Sequence, residues 1–256
     1  MEQLSALDFQ ICFVSNSEIS APSERRLREL CHRVILRENS GLDFSMWQCA
    51  IAQYDLGSYD ELLLTNSSII GPLRPLAPLW QDPAIADCDF WGLADSDEIK
   101  LHLPSYFLVF RRAVLHSSAF RDFWRGVLPY RSKDQIILSY ELGLTCWLEE
   151  NGFTRKSIFH YRDIIYSPEH KQRGLPRKVA DYCRYLAGHG RARNLFIDFA
   201  DIVWRRGAPF VKASLLRQSP PPLRPATVFG WIEQSGLSAE ILEELRQEFP
   251  AVQRAT

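Results

Sequence analysis

The first 68 residues alternate short apolar runs with amphipathic stretches, and this alternation limits the fold more than any other feature of the chain. FQICFVSNS is an apolar run that ends in polar turn residues, and it reads as a strand. APSERRLRELCHR follows with Leu27, Leu30 and Cys31 at helical spacing and with Pro22 and Ser23 at its start, where proline is tolerated. RVILREN reads as a second strand. DFSMWQCAIAQYDLG reads as a second helix, with Phe44, Trp47 and Ile51 on one face and Gly57 at its end. ELLLTNSS is a third strand, apolar without interruption, as expected for a parallel sheet covered on both faces. A strand-helix-strand-helix-strand order predicts an α/β sheet with right-handed crossovers.

Beyond residue 68 the alternation loosens. GPLRPLAPLWQDPAIAD is rich in Pro and reads as a loop with a short helix; DFWGLAD and SYFLVFRR read as fourth and fifth strands. VLHSSAFRDFWRGV is amphipathic, with Ser117 or Ser118 as its cap. KDQIILSYELGLTCWLEENGF carries a long helical pattern that stops at Asn151–Gly152. After KSIFHY the chain turns basic and mostly helical, through RKVADYCRYLAGHG and LFIDFADIVWRRG. QSPPPLRP reads as a linker and SAEILEELRQEF as a closing helix. We therefore expect a core over 1–153, a basic, mainly helical extension packed on it over 154–218, and a Pro-rich linker with a C-terminal helix over 219–256.

The net charge of −1 conceals this division. Residues 1–153 carry 13 Lys and Arg against 21 Asp and Glu, whereas residues 154–224 carry 15 against 5. A basic segment of this kind favours phosphates or an anionic surface, or is simply a solvated face. No nucleic-acid recognition module accompanies it, so nucleic acid is not an expected partner. The six Cys, at 12, 31, 49, 88, 146 and 183, form no C-x-x-C pair, the pattern of a reduced compartment. No apolar run approaches membrane-spanning length, and no basic region followed by an apolar stretch opens the chain. The expected location is cytoplasmic.

Ligands of open α/β sheets bind beyond the carboxyl ends of the strands. Four such ends are polar here: Ser15, Asn16 and Ser17; Arg37, Glu38 and Asn39; Asn66, Ser67 and Ser68; Asp95 and Ser96. Ser, Asn and Asp also terminate strands for purely local reasons, so each end alone carries little, and the convergence of four carries more. Neither G-x-G-x-x-G nor G-x-x-x-x-G-K-[ST] occurs, and no Cys/His cluster has zinc spacing. His102 lies in KLHLPSYF. Glu141 lies among Ile137, Leu138, Leu142 and Leu144; it either projects from a polar stripe or sits partly desolvated with a raised pKa, as suits a general base.

In order along residues 9–217, ICFVSNS, RENSGLDFSMWQCAI, YDELLLTNSSIIGPL, DFWGLADS, HLPSYFLVFRRAVL, YELGLTCWLEENGF and GAPFVKASLLR resemble the rhamnan synthesis protein F family of bacterial polysaccharide glycosyltransferases. The resemblance implies a GT-A-like, Rossmann-type mixed sheet flanked by helices, with a mostly helical C-terminal portion. It implies a nucleotide-sugar donor, dTDP-, UDP- or GDP-linked, contacted by Ser15, Asn16, Arg37, Asn39, Asp43, Asn66, Ser67 and Ser68. Ser96, His102, Ser105 and Tyr106 fall on the acceptor side, and Lys212 on the diphosphate or membrane side. Glu141 falls at the position of an inverting enzyme's base, with Asp95 as the rival.

Two departures from the family pattern matter. The Asp-x-Asp metal motif of GT-A enzymes, commonly Asn-Asp-Ser in this family, reads Asn66-Ser67-Ser68, so a Mg²⁺ or Mn²⁺ cofactor is in doubt. Arg37 or Lys212 would then neutralise the leaving diphosphate. Pro104 stands where relatives commonly carry Gln. The function implied is transfer of a sugar, such as rhamnose or another deoxyhexose, to a growing cell-surface polysaccharide or a lipid-linked glycan, with peripheral contact at the inner membrane. The competing expectation is a catalytically weak binding subunit of a polysaccharide assembly complex.

Overall fold

The structure, a computed structural model, describes all residues except 39–40, 98, 131, 172–193, 219–222 and 256. The chain forms an α/β fold of two compact units, Met1–Thr65 with Leu76–Gly92 and His102–Lys156, and Asn66–Pro75 with Leu93–Leu101 and Ser157–Thr256. Two stretches of the expected 1–153 core therefore belong to the second unit. The helix expected in RKVADYCRYLAGHG lies outside the described residues, as does most of QSPPP.

In the first unit, β1 (Cys12–Ser15) and β2 (Arg33–Leu36) pair in parallel, Cys12 opposite Arg33 and Ser15 opposite Leu36. The crossover is α1 (Ala21–Leu30), whose N-cap Ser20 accepts from the Ser23 N–H. α2 (Asp43–Ile51) follows β2 and buries Phe44 and Trp47.

The third strand, β3 (Glu61–Thr65), departs from expectation. It pairs antiparallel with β6 (Phe107–Arg111), in a sheet separate from β1 and β2. An uninterrupted apolar run fixes neither the direction of its partner nor burial on both faces. No crossover helix returns the chain from β3 to a parallel neighbour. β3 is an edge strand on which only Leu64 is buried, while β6 and β5 (Phe90–Ala94) hold the buried centre. β5 pairs antiparallel with β6, Phe90 opposite Phe110. The fourth strand of this sheet is β7 (Arg155–Phe159), beside β5 in the order β3-β6-β5-β7. The C-terminal residues of β5 and β7, Leu93–Ala94 and Ser157–Phe159, fall within the second unit.

Aromatic rings dominate the core of the first unit. Phe44 stacks on Trp124 at 5.8 Å and meets Trp47 edge-on at 5.1 Å. Phe120 lies against Phe110 at 5.2 Å. Each fully buried ring contributes about 1.5–3 kcal/mol of transfer free energy. Phe120 and Trp124 come from α3 (Ser118–Arg125), where Ser117 Oγ accepts from the Phe120 N–H at 3.0 Å. The long helical pattern forms three consecutive segments, Lys133–Ile136, a π-helical Ile137–Leu142, and α4 (Gly143–Glu150). It stops where Gly152 adopts a positive φ of +88°, the conformation glycine favours.

In the second unit, β4 (Ile69–Ile70) pairs antiparallel with β8 (Val211–Lys212). Gly71 lies so close to Phe210 and the Pro209 carbonyl that a Cβ would stand 2.7 Å from each. Leu215, Leu216, Val228 and Ile232 form the interior, the last two from α5 (Pro225–Glu233). Arg74 lies 3.9 Å over the Trp204 ring, which stacks on Trp231 at 5.3 Å. The closing helix, α6 (Ala239–Glu248), is capped by Ser238.

Candidate functional site

The turn after β3 is built from its own side chains. Asn66 Oδ1 accepts from the Ser68 N–H at 3.1 Å and from Ser68 Oγ at 2.6 Å, while Ser67 is exposed. The β4–β8 ladder sets Lys212 opposite Ile69, and Lys212 Nζ donates to Ser68 Oγ at 2.9 Å. The Ala213 N–H closes on the Ser68 carbonyl at 3.0 Å. Two groups 144 residues apart, Ser68 expected at the nucleotide-sugar and Lys212 on the diphosphate or membrane side, thus meet. A hard divalent cation does not fit this turn. It offers no carboxylate, and Asn66 Oδ1 is already the turn's acceptor. Among the described residues no three His, Cys, Asp or Glu side chains gather as metal ligands.

The ends of β1 and β2 lie side by side. Ser15 Oγ accepts from the Ser17 N–H at 3.1 Å, and the Arg37 N–H donates to the Ser15 carbonyl at 3.0 Å. Arg37 Nη1 donates to the Ser45 carbonyl at 2.6 Å, which ties the strand end to the first turn of α2. Asp43 is the first residue of that helix rather than its cap, a position where its charge favours the helix dipole. Asn16 follows Ser15 in this turn, and Asn39 lies outside the described residues.

Glu141 lies in the π-helical segment, a form that recurs at functional sites. Its carboxylate receives three donors from the loop before β6. Oε2 accepts from the Ser105 N–H at 3.0 Å and from Ser105 Oγ by a short bond, and Oε1 faces His102 Nε2 at 3.5 Å. The His102 side chain is 2% exposed and that of Glu141 20%. The loop is further held by the Leu103 N–H on Thr145 Oγ1 at 3.3 Å and by Thr65 Oγ1 on the carbonyl of the buried Tyr106 at 2.9 Å. Burial pushes the Glu141 carboxyl up, but the hydrogen bonds from His102 and from Ser105, with the His102 charge, outweigh it and hold it below its ordinary value. Of the two settings the sequence leaves open, Glu141 is thus the partly desolvated one, but without the raised pKa that desolvation alone would bring. Desolvation was legible in the apolar neighbours, whereas the donors come from a loop 36 residues away.

Asp95 is 7% exposed and both its oxygens are engaged. Oδ1 accepts from the Tyr161 N–H at 2.5 Å, and Oδ2 lies 3.3 Å from His160 Nδ1. Ser157 Oγ is 3.0 Å from the same nitrogen. The adjoining Ser96 hydroxyl is buried without a hydrogen-bond partner among the described residues. His160 and Ser157 are not legible in the sequence, because Lys156 breaks the short apolar run of KSIFHY and hides the strand whose end they occupy.

A separate cavity of about 750 Å³ in the first unit is lined by Gln48, Tyr54, Asp55, Leu115, Arg121 and Trp124, among others, and holds none of the nominated residues.

These features define an α/β protein with polar groups gathered at its strand ends. The chain belongs to the rhamnan synthesis protein F family, whose model matches residues 11–172. It is 28% identical over 202 residues to an uncharacterized protein of Sinorhizobium fredii, a match covering 77% of this chain and 52% of that relative. It is 30% identical over 207 residues to the virulence protein VirA of Vibrio anguillarum, covering 77% of this chain and 66% of the relative. The chain thus spans about half to two thirds of the length of these curated relatives. No solved structure matches it.

Proposed function

We propose that the chain is a glycosyltransferase of polysaccharide assembly. It moves a sugar, such as rhamnose or another deoxyhexose, from a nucleoside-diphosphate donor to a growing or lipid-linked glycan. Membership of the rhamnan synthesis family supports the polysaccharide context. The observation that carries the reading is the Lys212–Ser68 contact at 2.9 Å, beside the turn where GT-A enzymes bind the donor's diphosphate. A cation supported by hydroxyl and amide groups suits a diphosphate leaving group where no carboxylate is present to hold a metal. Of the described residues, Ser15, Asn16, Arg37 and Asp43 would contact the nucleotide. His102, Ser105 and Tyr106 would line the acceptor side, where the Glu141 clamp fixes the loop of His102 and Ser105.

A thermal-shift series with dTDP-, UDP- and GDP-sugars tests the reading. At least one donor should raise Tm in the wild type, and Lys212→Ala should lose most of that shift. If no nucleotide-sugar stabilises the wild type, the reading fails. A second reading, a donor- or glycan-binding subunit without turnover, is favoured by Ser67 in place of the family's Asp; it predicts donor binding without release of nucleoside diphosphate.

A further inference from the structure

We infer that His160, oriented by Asp95, is the group that takes the proton from the attacking hydroxyl; the inference rests on the transferase reading above. Asp95 follows β5 and His160 follows β7. The Asp89 N–H donates to the Thr154 carbonyl and the Asp95 N–H to the Phe159 carbonyl, so the bonds advance in the same direction along both strands, as in a parallel pair. Asp95 and His160 therefore stand side by side just beyond two adjacent carboxyl ends, where α/β sheets hold ligands.

The two residues divide the work by burial and by hydrogen bonding. Asp95 is 7% exposed, and its oxygens already serve the Tyr161 N–H and His160 Nδ1, so it is badly placed to take a proton from a ligand. The His160 side chain is 37% exposed. An ionised carboxylate can only accept, so Nδ1 of a neutral His160 must carry the hydrogen. The basic lone pair is then on Nε2. Ser157 Oγ, 3.0 Å from Nδ1, accepts from the same N–H and reinforces that tautomer.

In the step, the acceptor oxygen bonds to the anomeric carbon as its proton passes to His160 Nε2. The bond from the anomeric carbon to the phosphate oxygen breaks, and its electron pair leaves with the nucleoside diphosphate. The resulting imidazolium is stabilised by the Asp95 carboxylate. Asp95 is a positioning residue, and His160 is the catalytic one.

Ring-nitrogen NMR on histidine-labelled protein, combined with turnover, tests the assignment. Wild-type His160 should show the hydrogen on Nδ1. Asp95→Asn keeps an oxygen for the Tyr161 N–H but presents an amide donor to Nδ1, so the hydrogen should move to Nε2. His160→Ala should lose about 10²–10⁴-fold in turnover while keeping the donor-induced thermal shift, and His160→Gln should not restore turnover. A wild-type His160 protonated on Nε2, or a His160→Ala variant within about tenfold of wild type, overturns the assignment and leaves the transferase reading intact. A wild type that neither binds nor turns over any donor defeats the transferase reading, and the assignment falls with it.

Discussion

Glu141 shows how partial burial can be read from neighbouring residues while the titration of the buried group cannot. Its apolar neighbours in sequence signal desolvation, which raises a carboxyl pKa. The three donors that reverse the shift belong to His102 and Ser105, and no local pattern announces them. A carboxyl whose pKa is lowered on folding contributes stability above its unfolded pKa and loses that contribution as pH falls through the folded value. Glu141→Gln should therefore be destabilised relative to wild type at pH 7, with the gap closing below about pH 4 in denaturant titrations. Glu141→Ala should cost about 1–3 kcal/mol, since it strands the buried Ser105 N–H. Lys212 and Ser68 teach the complementary lesson. Each was legible as a candidate from its own segment, but their contact depends on a two-residue ladder between β4 and β8, too short to leave a periodic signal.

Among the elements, β1, α1 and β2 were legible from their apolar runs and turn residues, whereas α2 begins at Asp43 as expected but ends at Ile51, short of Gly57, which lies in a 3-10 turn over Leu56–Ser58 capped by Asp55. The direction of β3 was not legible, since direction is decided by the partner strand. β7 is hidden in the sequence because Lys156 breaks a short apolar run in basic surroundings. The turn between β2 and α2 acts as a brace. Arg37 ties β2 to the Ser45 carbonyl, and Gly41 has φ +69° with its Cβ position 2.9 Å from the Pro129 backbone and 2.5 Å from Ser45 Oγ. Gly41→Ala adds a left-handed backbone penalty of about 1–2 kcal/mol to a clash that backbone cannot easily relieve. It should lower thermal stability by several degrees, and an unchanged Tm would contradict this account of the turn. Tyr140→Phe should cost about 1–3 kcal/mol in a denaturant titration, because its hydroxyl satisfies both the Leu128 N–H at 2.6 Å and the Leu128 carbonyl at 3.1 Å.

For the whole molecule, family membership and an α/β fold were legible because the motifs lie in order along most of the chain and its first third alternates strands with helices. The division into two units was not, since the second gathers stretches from three parts of the chain. No described helix is long and apolar enough to cross a membrane. The proposed peripheral contact instead predicts flotation with anionic vesicles that salt reverses, as expected for a segment with 15 Lys and Arg against 5 Asp and Glu. Donor binding should survive a chelator, because the turn at Asn66–Ser68 has no carboxylate; loss restored by Mg²⁺ or Mn²⁺ would contradict that. The central claim is turnover. Nucleoside diphosphate released from a nucleotide-sugar should be measured in the presence of membrane-extracted lipid-linked glycans. Release that depends on the acceptor and falls in Lys212→Ala is the result predicted, and donor binding with no release above background would contradict it.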